Sequence, residues 1–188
     1  MPANAVQLAK PASYVELHAH SAYSFHDGVS QPHELAGAAA EFGYAAMALT
    51  DHDGVYGAME WAQACLPLGV KPIYGAEITL DDGHHLTLLA ENRDGWANLC
   101  RLLTKAHAET RSQDAARSAH PPKLALGELP ANAEGLICLS GCAARGAVGG
   151  RVEHGEAGVA EAIARRLLGA FGADNFRIEL QRPFARHD

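Results

Sequence analysis

This sequence predicts an α/β fold on a largely parallel sheet, open or closed into a barrel. Short apolar runs with strand character alternate with longer amphipathic runs. Turn and capping residues sit at the boundaries between them. With 188 residues and 48% hydrophobic composition, the chain can bury one real core.

In chain order, residues 1–13 read as a flexible tail, and a single domain is expected over 14–188. A strand is expected over 14–18. Ser30 then offers a helix cap with Pro32 in the first turn, and HELAGAAAEF runs to a stop at Gly43. An apolar strand follows over 45–50, then a helix over 55–68 that Pro67 must end. The next strand begins at 70–74, with room to continue through 78–80. Asp81-Asp82-Gly83 signals a turn before a strand over 85–90. Asp94 is expected to cap the helix GWANLCRLLTKAHAE, whose Trp96, Leu99, Leu102 and Leu103 share a face. The polar stretch 110–123, with Pro121-Pro122, reads as a flexible loop. A buried strand over 136–139, a helix over 156–171 and a last strand over 176–180 complete the order.

Bulk properties exclude several classes. The start MPANAVQLAKPAS lacks the basic and apolar regions of a signal peptide. No apolar stretch is long enough to cross a bilayer, so a cytoplasmic protein without a membrane partner is expected. The formal net charge of -7 argues against a domain that grips nucleic acid with its own basic surface. Bound dications would offset that charge locally, so a nucleic-acid substrate is not excluded. The four cysteines form no CxxC pair; Cys65, Cys100 and Cys138 read as buried thiols, not a disulfide framework.

Seven metal-binding side chains stand out: His18, His20, Asp27, His52, Glu77, His85 and Cys142. Most fall where a strand would hand over to a loop, where barrel enzymes carry their chemistry. His18 and His20 are two apart and can reach one cavity from an extended segment. His52 follows an apolar strand directly. Glu77 lies between Ala76 and Ile78, and an acid inside an apolar strand needs a partner. Cys142 has two readings, a ligand or a small residue closing the turn after LSG, and Asp27 lies in HDG, a good turn in its own right. His84 and His85 compete for one role, with His85 preferred, though a hairpin would leave its direction open. His26, His33, His107, His120, His154 and His187 read as surface or capping residues. Imidazoles, carboxylates and a thiolate together suit two or three borderline metal ions. Such a site usually performs hydrolysis, most often on a phosphate ester. Asp51 and Asp53 are candidates for orienting the ligating imidazoles.

HAHSAYSFHDG, ALTDHDGVYGAMEWAQAC, GVKPIYGAEITL and HLTLLAENRDGWANLCRLL resemble, in order, the PHP domain (polymerase and histidinol phosphatase). The likeness is to the PHP domain that begins bacterial C-family DNA polymerases, the DNA polymerase III α subunits. LTDHDGVYGA, NLCRLLTKAH, LSGC and IELQR look most like the error-prone branch used in damage tolerance. The resemblance spans about residues 14–182. It implies a distorted, TIM-like β/α barrel and a trinuclear centre of zinc or manganese, with magnesium as an alternative. The implied ligands are His18, His20, Asp27, His52, Glu77, His85 and Cys142. It also implies a DNA polymerase parent acting in replication and repair, with phosphoesterase or 3′-5′ exonuclease chemistry at this site. DNA and C-terminal polymerase domains would be partners, and damage-tolerance accessory proteins by kinship. One departure matters: the family's later Asp-x-His has no counterpart before Asp188. The chain is therefore expected to be an N-terminal piece of a longer polymerase, its barrel incomplete at the C-terminus and cut before the last metal motif. A metal-stabilised domain without catalysis and a stand-alone phosphatase of small phosphate esters are the rival readings.

Overall fold

Five strands line up in chain order in the computed structural model, which describes residues 14–110 and 120–181. They are β1 (Ala46–Leu49), β2 (Lys71–Thr79), β3 (His85–Ala90), β4 (Leu136–Leu139) and β5 (Phe176–Arg177). The main helices are α1 (Pro32–Glu41), α2 (Ala58–Leu68), α3 (Arg93–Ala106), α4 (Gly149–Glu153) and α5 (Ala157–Phe171). β1–β2 and β4–β5 pair parallel, whereas β2–β3 and β3–β4 pair antiparallel. The sheet is therefore mixed, not largely parallel. The turn at Asp81–Gly83 is far too short for a crossover helix, so β3 must return beside β2. No pairing joins β5 back to β1 among the described residues, so the sheet is open and a closed barrel is not seen.

Several boundaries move for local reasons. Over 14–18 only Glu16 pairs, as an isolated parallel bridge to Met47. α1 takes Gln31, not Ser30, as its cap: the Glu34 carboxylate accepts the Gln31 backbone N–H at 2.7 Å. Asn92, not Asp94, caps α3; its Oδ1 accepts the N–H groups of Asp94 and Gly95, both at 3.0 Å. α2 starts late because Val55 O first closes a turn on Ala58 N. Pro67 lies within its last turn, and the helix ends after Leu68, where Gly69 adopts φ 73°. β2 runs unbroken through Glu77, and the last strand is shorter than expected. The expected tail at 1–13, the middle of the 110–123 loop and the tail after Gln181 lie outside the described residues.

The pleat divides the sheet into two faces. Ala76, Ile78, Leu86, Leu88, Leu136 and Cys138 point to one side and pack with Leu99, Leu102 and Leu103 of α3 and Leu167 of α5. A second cluster joins α1 and α2 to β1 through Ala36, Met47, Leu49, Trp61 and Cys65. On the opposite face, register places Glu77 beside Thr87, Thr79 beside His85, and Leu89 beside Ile137. That face is polar toward one end and apolar toward the other. At the apolar end Leu17, Ile73, Leu89, Ile137 and Leu139 line a groove of about 920 Å³. All four cysteines are free; Cys65 and Cys138 are buried and Cys100 is half-buried. No described helix is long and apolar enough to cross a membrane.

Candidate metal centre

Glu77 is the hub of the polar end. It is 1% exposed, toward the C-terminal end of β2. Its Oε2 lies 2.8 Å from His18 Nε2 and 2.7 Å from His20 Nε2, and its Oε1 lies 2.5 Å from His85 Nδ1. His52 Nε2 stands 3.8 Å from the same carboxylate and 3.2 Å from Asp27 Oδ2. Four imidazoles from three segments thus gather round one acid. Ring centroids step from His18 to His20 at 5.2 Å, His20 to His52 at 4.4 Å, and His52 to His85 at 5.1 Å.

Backbone pairing makes these meetings inevitable. The chain after β1 continues along β2, with Glu77 N–H donating to Asp51 O and Asp53 N–H to Glu77 O. That sets His52 directly beside Glu77. In the β2–β3 hairpin, His85 opposes Thr79, two residues from Glu77 and on its face. The direction left open by sequence is thus inward for His85. His84 instead lies in the turn with its Nδ1 3.2 Å from Asp82 Oδ1. Gly141, at φ 83°, lets the loop after β4 lie against His85: an added Cβ would sit 2.4 Å from His85 O. His85 N–H donates to Arg145 O, and Ala147 N–H to His85 O. This brings in Cys142, whose Sγ accepts the Arg145 N–H at 3.3 Å. All seven donors line one cavity of about 300 Å³.

Asp51 and Asp53 do not reach the imidazoles. The buried Asp51 carboxylate accepts from Ser21 N, Ser21 Oγ and Ser24 Oγ at 2.7–2.8 Å, and Ser24 Oγ accepts His52 N–H. It shapes the 21–28 loop that carries Asp27. Gly28 closes that loop so tightly that a Cβ would fall 1.9 Å from Ser21 O. Asp53 accepts from Thr79 N and Oγ1, fastening the 50–53 loop to β2. Both acids follow a strand end, where short polar side chains bond backbone and hydroxyl groups nearby. Of the other histidines, His33 pairs with Glu60, His107 ends α3 and contacts Asp53 O, and His154 ends α4.

The charges follow from this packing. Burial alone would raise the Glu77 carboxyl, but the imidazoles of His18, His20 and His85 packed beside it hold it well below the usual carboxylate range. Burial opposes charging His18, yet Glu179 and Glu77 push it up to about 10. His52 is lowered, first by burial and then by His20 and His85, so it stays neutral near pH 7. Glu179, whose Oε1 accepts from His18 Nδ1 at 2.8 Å, was not singled out in the sequence. A signal was there: it sits between Ile178 and Leu180 as Glu77 sits between Ala76 and Ile78. Arg145 and Gln181 also line the cavity without having been singled out.

The donor set fits divalent metal. His18, His20 and Glu77 form one group, and His52, Glu77 and His85 another, each with donor atoms within 4.8 Å of one another. Two coordination bonds of about 2.1 Å span most of that distance. His20 Nε2 is buried and makes no hydrogen bond despite its closeness to Glu77, because the approach is poorly aligned. An imidazole nitrogen so placed has its lone pair available for an ion.

The family model of the PHP domain matches residues 16–183. An error-prone DNA polymerase of Symbiobacterium thermophilum is 42% identical over 177 residues, covering 89% of this chain and 16% of the relative. The DNA polymerase III subunit alpha of Treponema pallidum is 36% identical over 183 residues, covering 90% of this chain and 15% of the relative. The chain thus spans about a sixth of these relatives. A crystal structure from Bifidobacterium adolescentis, assigned as a metal-dependent phosphoesterase, shares the fold with a TM-score of 0.51 at 15% identity, covering 69% of this chain and 67% of that one. By the extent of the family match, this chain belongs to the PHP domain family.

Proposed function

We propose that the cavity around Glu77 holds two or three divalent ions, zinc or manganese, on His18, His20, Asp27, His52, Glu77, His85 and Cys142, and that the loaded site hydrolyses phosphate esters. The observation that carries this reading is the convergence of four imidazoles on one buried carboxylate. When bound, such ions acidify water and offset phosphoryl charge. The chain's own residues hold and orient. Glu77 supplies the anionic charge common to both donor groups. Glu179 grips His18 at Nδ1 and so directs Nε2 into the cavity. Asp51 steadies the loop bearing Asp27, whose side chain is 49% exposed and marks the side open to substrate.

The relatives' names support a wider reading. The chain is the N-terminal part of an error-prone DNA polymerase, a cytoplasmic protein whose partners are DNA and its own later domains. Its site trims the 3′ end of DNA. The open sheet and the groove of about 920 Å³ leave room for closure into the family's distorted barrel. A metal-stabilised domain without catalysis is the second reading; it is favoured by donors from segments as far apart as His18 and Cys142, which an ion would staple together.

The test compares wild type with His18→Ala/His20→Ala, reading bound metal and release of nucleotides from a 3′-labelled oligonucleotide. We expect bound Mn²⁺ and hydrolysis in the wild type and loss of both in the variant. A wild type that binds no Mn²⁺ or Zn²⁺ refutes the site. Bound metal that raises the melting temperature without any hydrolysis selects the structural reading.

A further inference from the structure

The loop that brings Cys142 to the cavity also brings Arg145. Arg145 lines the same space as the seven donors, and among the described residues it is the only lysine or arginine to do so. Both of its backbone polar groups are held. The N–H donates to Cys142 Sγ at 3.3 Å, and the carbonyl accepts the His85 N–H at 2.9 Å. Its Cα therefore cannot move without disturbing two donors. The side chain, by contrast, is exposed and has no carboxylate partner among the described residues. Arg151, in the helix that follows, is instead tied to Asp82 and Glu156.

Arg145 lines the cavity together with Glu77 and Asp27 and forms no ion pair with either. We propose that Arg145 is a substrate-binding residue that takes the non-bridging oxygens of the phosphoryl group entering the cavity. This rests on the phosphoesterase reading and adds its selectivity. A planar fork of N–H donors matches two oxygens of a phosphate, so the substrate class is phosphate esters, not carboxylate esters or amides. Arg145 also complements the donors in charge. They bind cations and it binds the anion, within one small space. The shared loop links the two tasks, since the hydrogen bonds that seat His85 also seat Arg145.

The test titrates inorganic phosphate by calorimetry into the Mn²⁺-loaded 188-residue chain, as wild type, Arg145→Lys and Arg145→Ala. Mn²⁺ affinity is measured on the same samples. We expect Mn²⁺ to bind all three within about twofold, because Arg145 donates no ligand atom. Phosphate affinity should fall roughly ten- to hundredfold in R145A and less in R145K, which keeps the charge but loses the fork. Equal phosphate affinity in wild type and R145A overturns the assignment. So does loss of Mn²⁺ binding in R145A, which would make the residue a prop for the loop. A wild type that takes up no Mn²⁺ refutes the metal reading beneath it, and the assignment falls with that.

Discussion

Exchanging Glu77 for glutamine removes one charge and almost no volume, which isolates electrostatics from packing. Three imidazole nitrogens lie 2.5–2.8 Å from the two Glu77 oxygens. An amide offers one oxygen and one NH₂ group, so at least one ring is left facing a donor. Glu77 is 1% exposed, so water substitutes poorly for the lost carboxylate. Breaking a buried charge pair costs about 3–5 kcal/mol. The size of the His18 perturbation is consistent: moving an imidazole from 6.5 to about 10 reflects roughly 5 kcal/mol of preference for the charged ring, from Glu179 and Glu77 against the opposing effect of burial. For a domain of this size, 3–5 kcal/mol lowers the melting temperature by roughly 6–20 °C. Mn²⁺ at a hundred times its dissociation constant stabilises wild type by about 2.7 kcal/mol, or roughly 5–11 °C. Glu77→Gln should lose both, because Glu77 belongs to both donor groups. Thermal melts with chelator and with Mn²⁺ read the two effects separately. A variant that melts within about 2 °C of wild type and gains the same Mn²⁺ shift would refute the reasoning.

Two further outcomes are expected. In chelator-treated protein, the raised pKa of His18 contributes stability that is complete below pH 6.5 and lost as pH rises through about 10. Glu77, held below its usual value, contributes above pH 4.5 and keeps contributing well into acid. Melting should therefore peak near pH 5–6.5 and decline toward pH 10, and His18→Gln should abolish most of that alkaline decline; a wild-type curve matching the variant's tells against it. Glu179→Gln leaves His18 Nδ1 without its anionic acceptor, so Mn²⁺ affinity should fall about 10–100-fold while hydrophobic packing is untouched. An unchanged affinity in a Mn²⁺ titration would remove Glu179 from the site.

The elements most legible in the sequence were those whose signals are local. β3 spans His85–Ala90 and β4 spans Leu136–Leu139, as the apolar runs between turn residues indicate. α5 ends at Phe171 before Gly172, where the periodicity also ends. Caps were less legible, because Asn92 and Asp94 are both good caps and only backbone geometry selects Asn92. Strand direction was less legible still. A strand reads the same whether its neighbour runs with it or against it, and the short Asp81–Gly83 turn was the one clue to β3.

The donor inventory could be read from residue chemistry alone, since imidazoles, acids and a thiolate in strand-end strings are visible without coordinates. Their common cavity, the inward turn of His85 and the part played by Glu179 could not. His18 and Glu179 meet across 161 positions of chain, and nothing local records such a contact. Asp51 shows the converse: its neighbours in sequence suggested an imidazole partner, while the fold offered it three hydrogen-bond donors from the 21–28 loop. Composition settles which atoms can bind a metal. Pairing register and loop closure settle which of them face one another, because a shift of one residue along a strand turns every side chain to the other face.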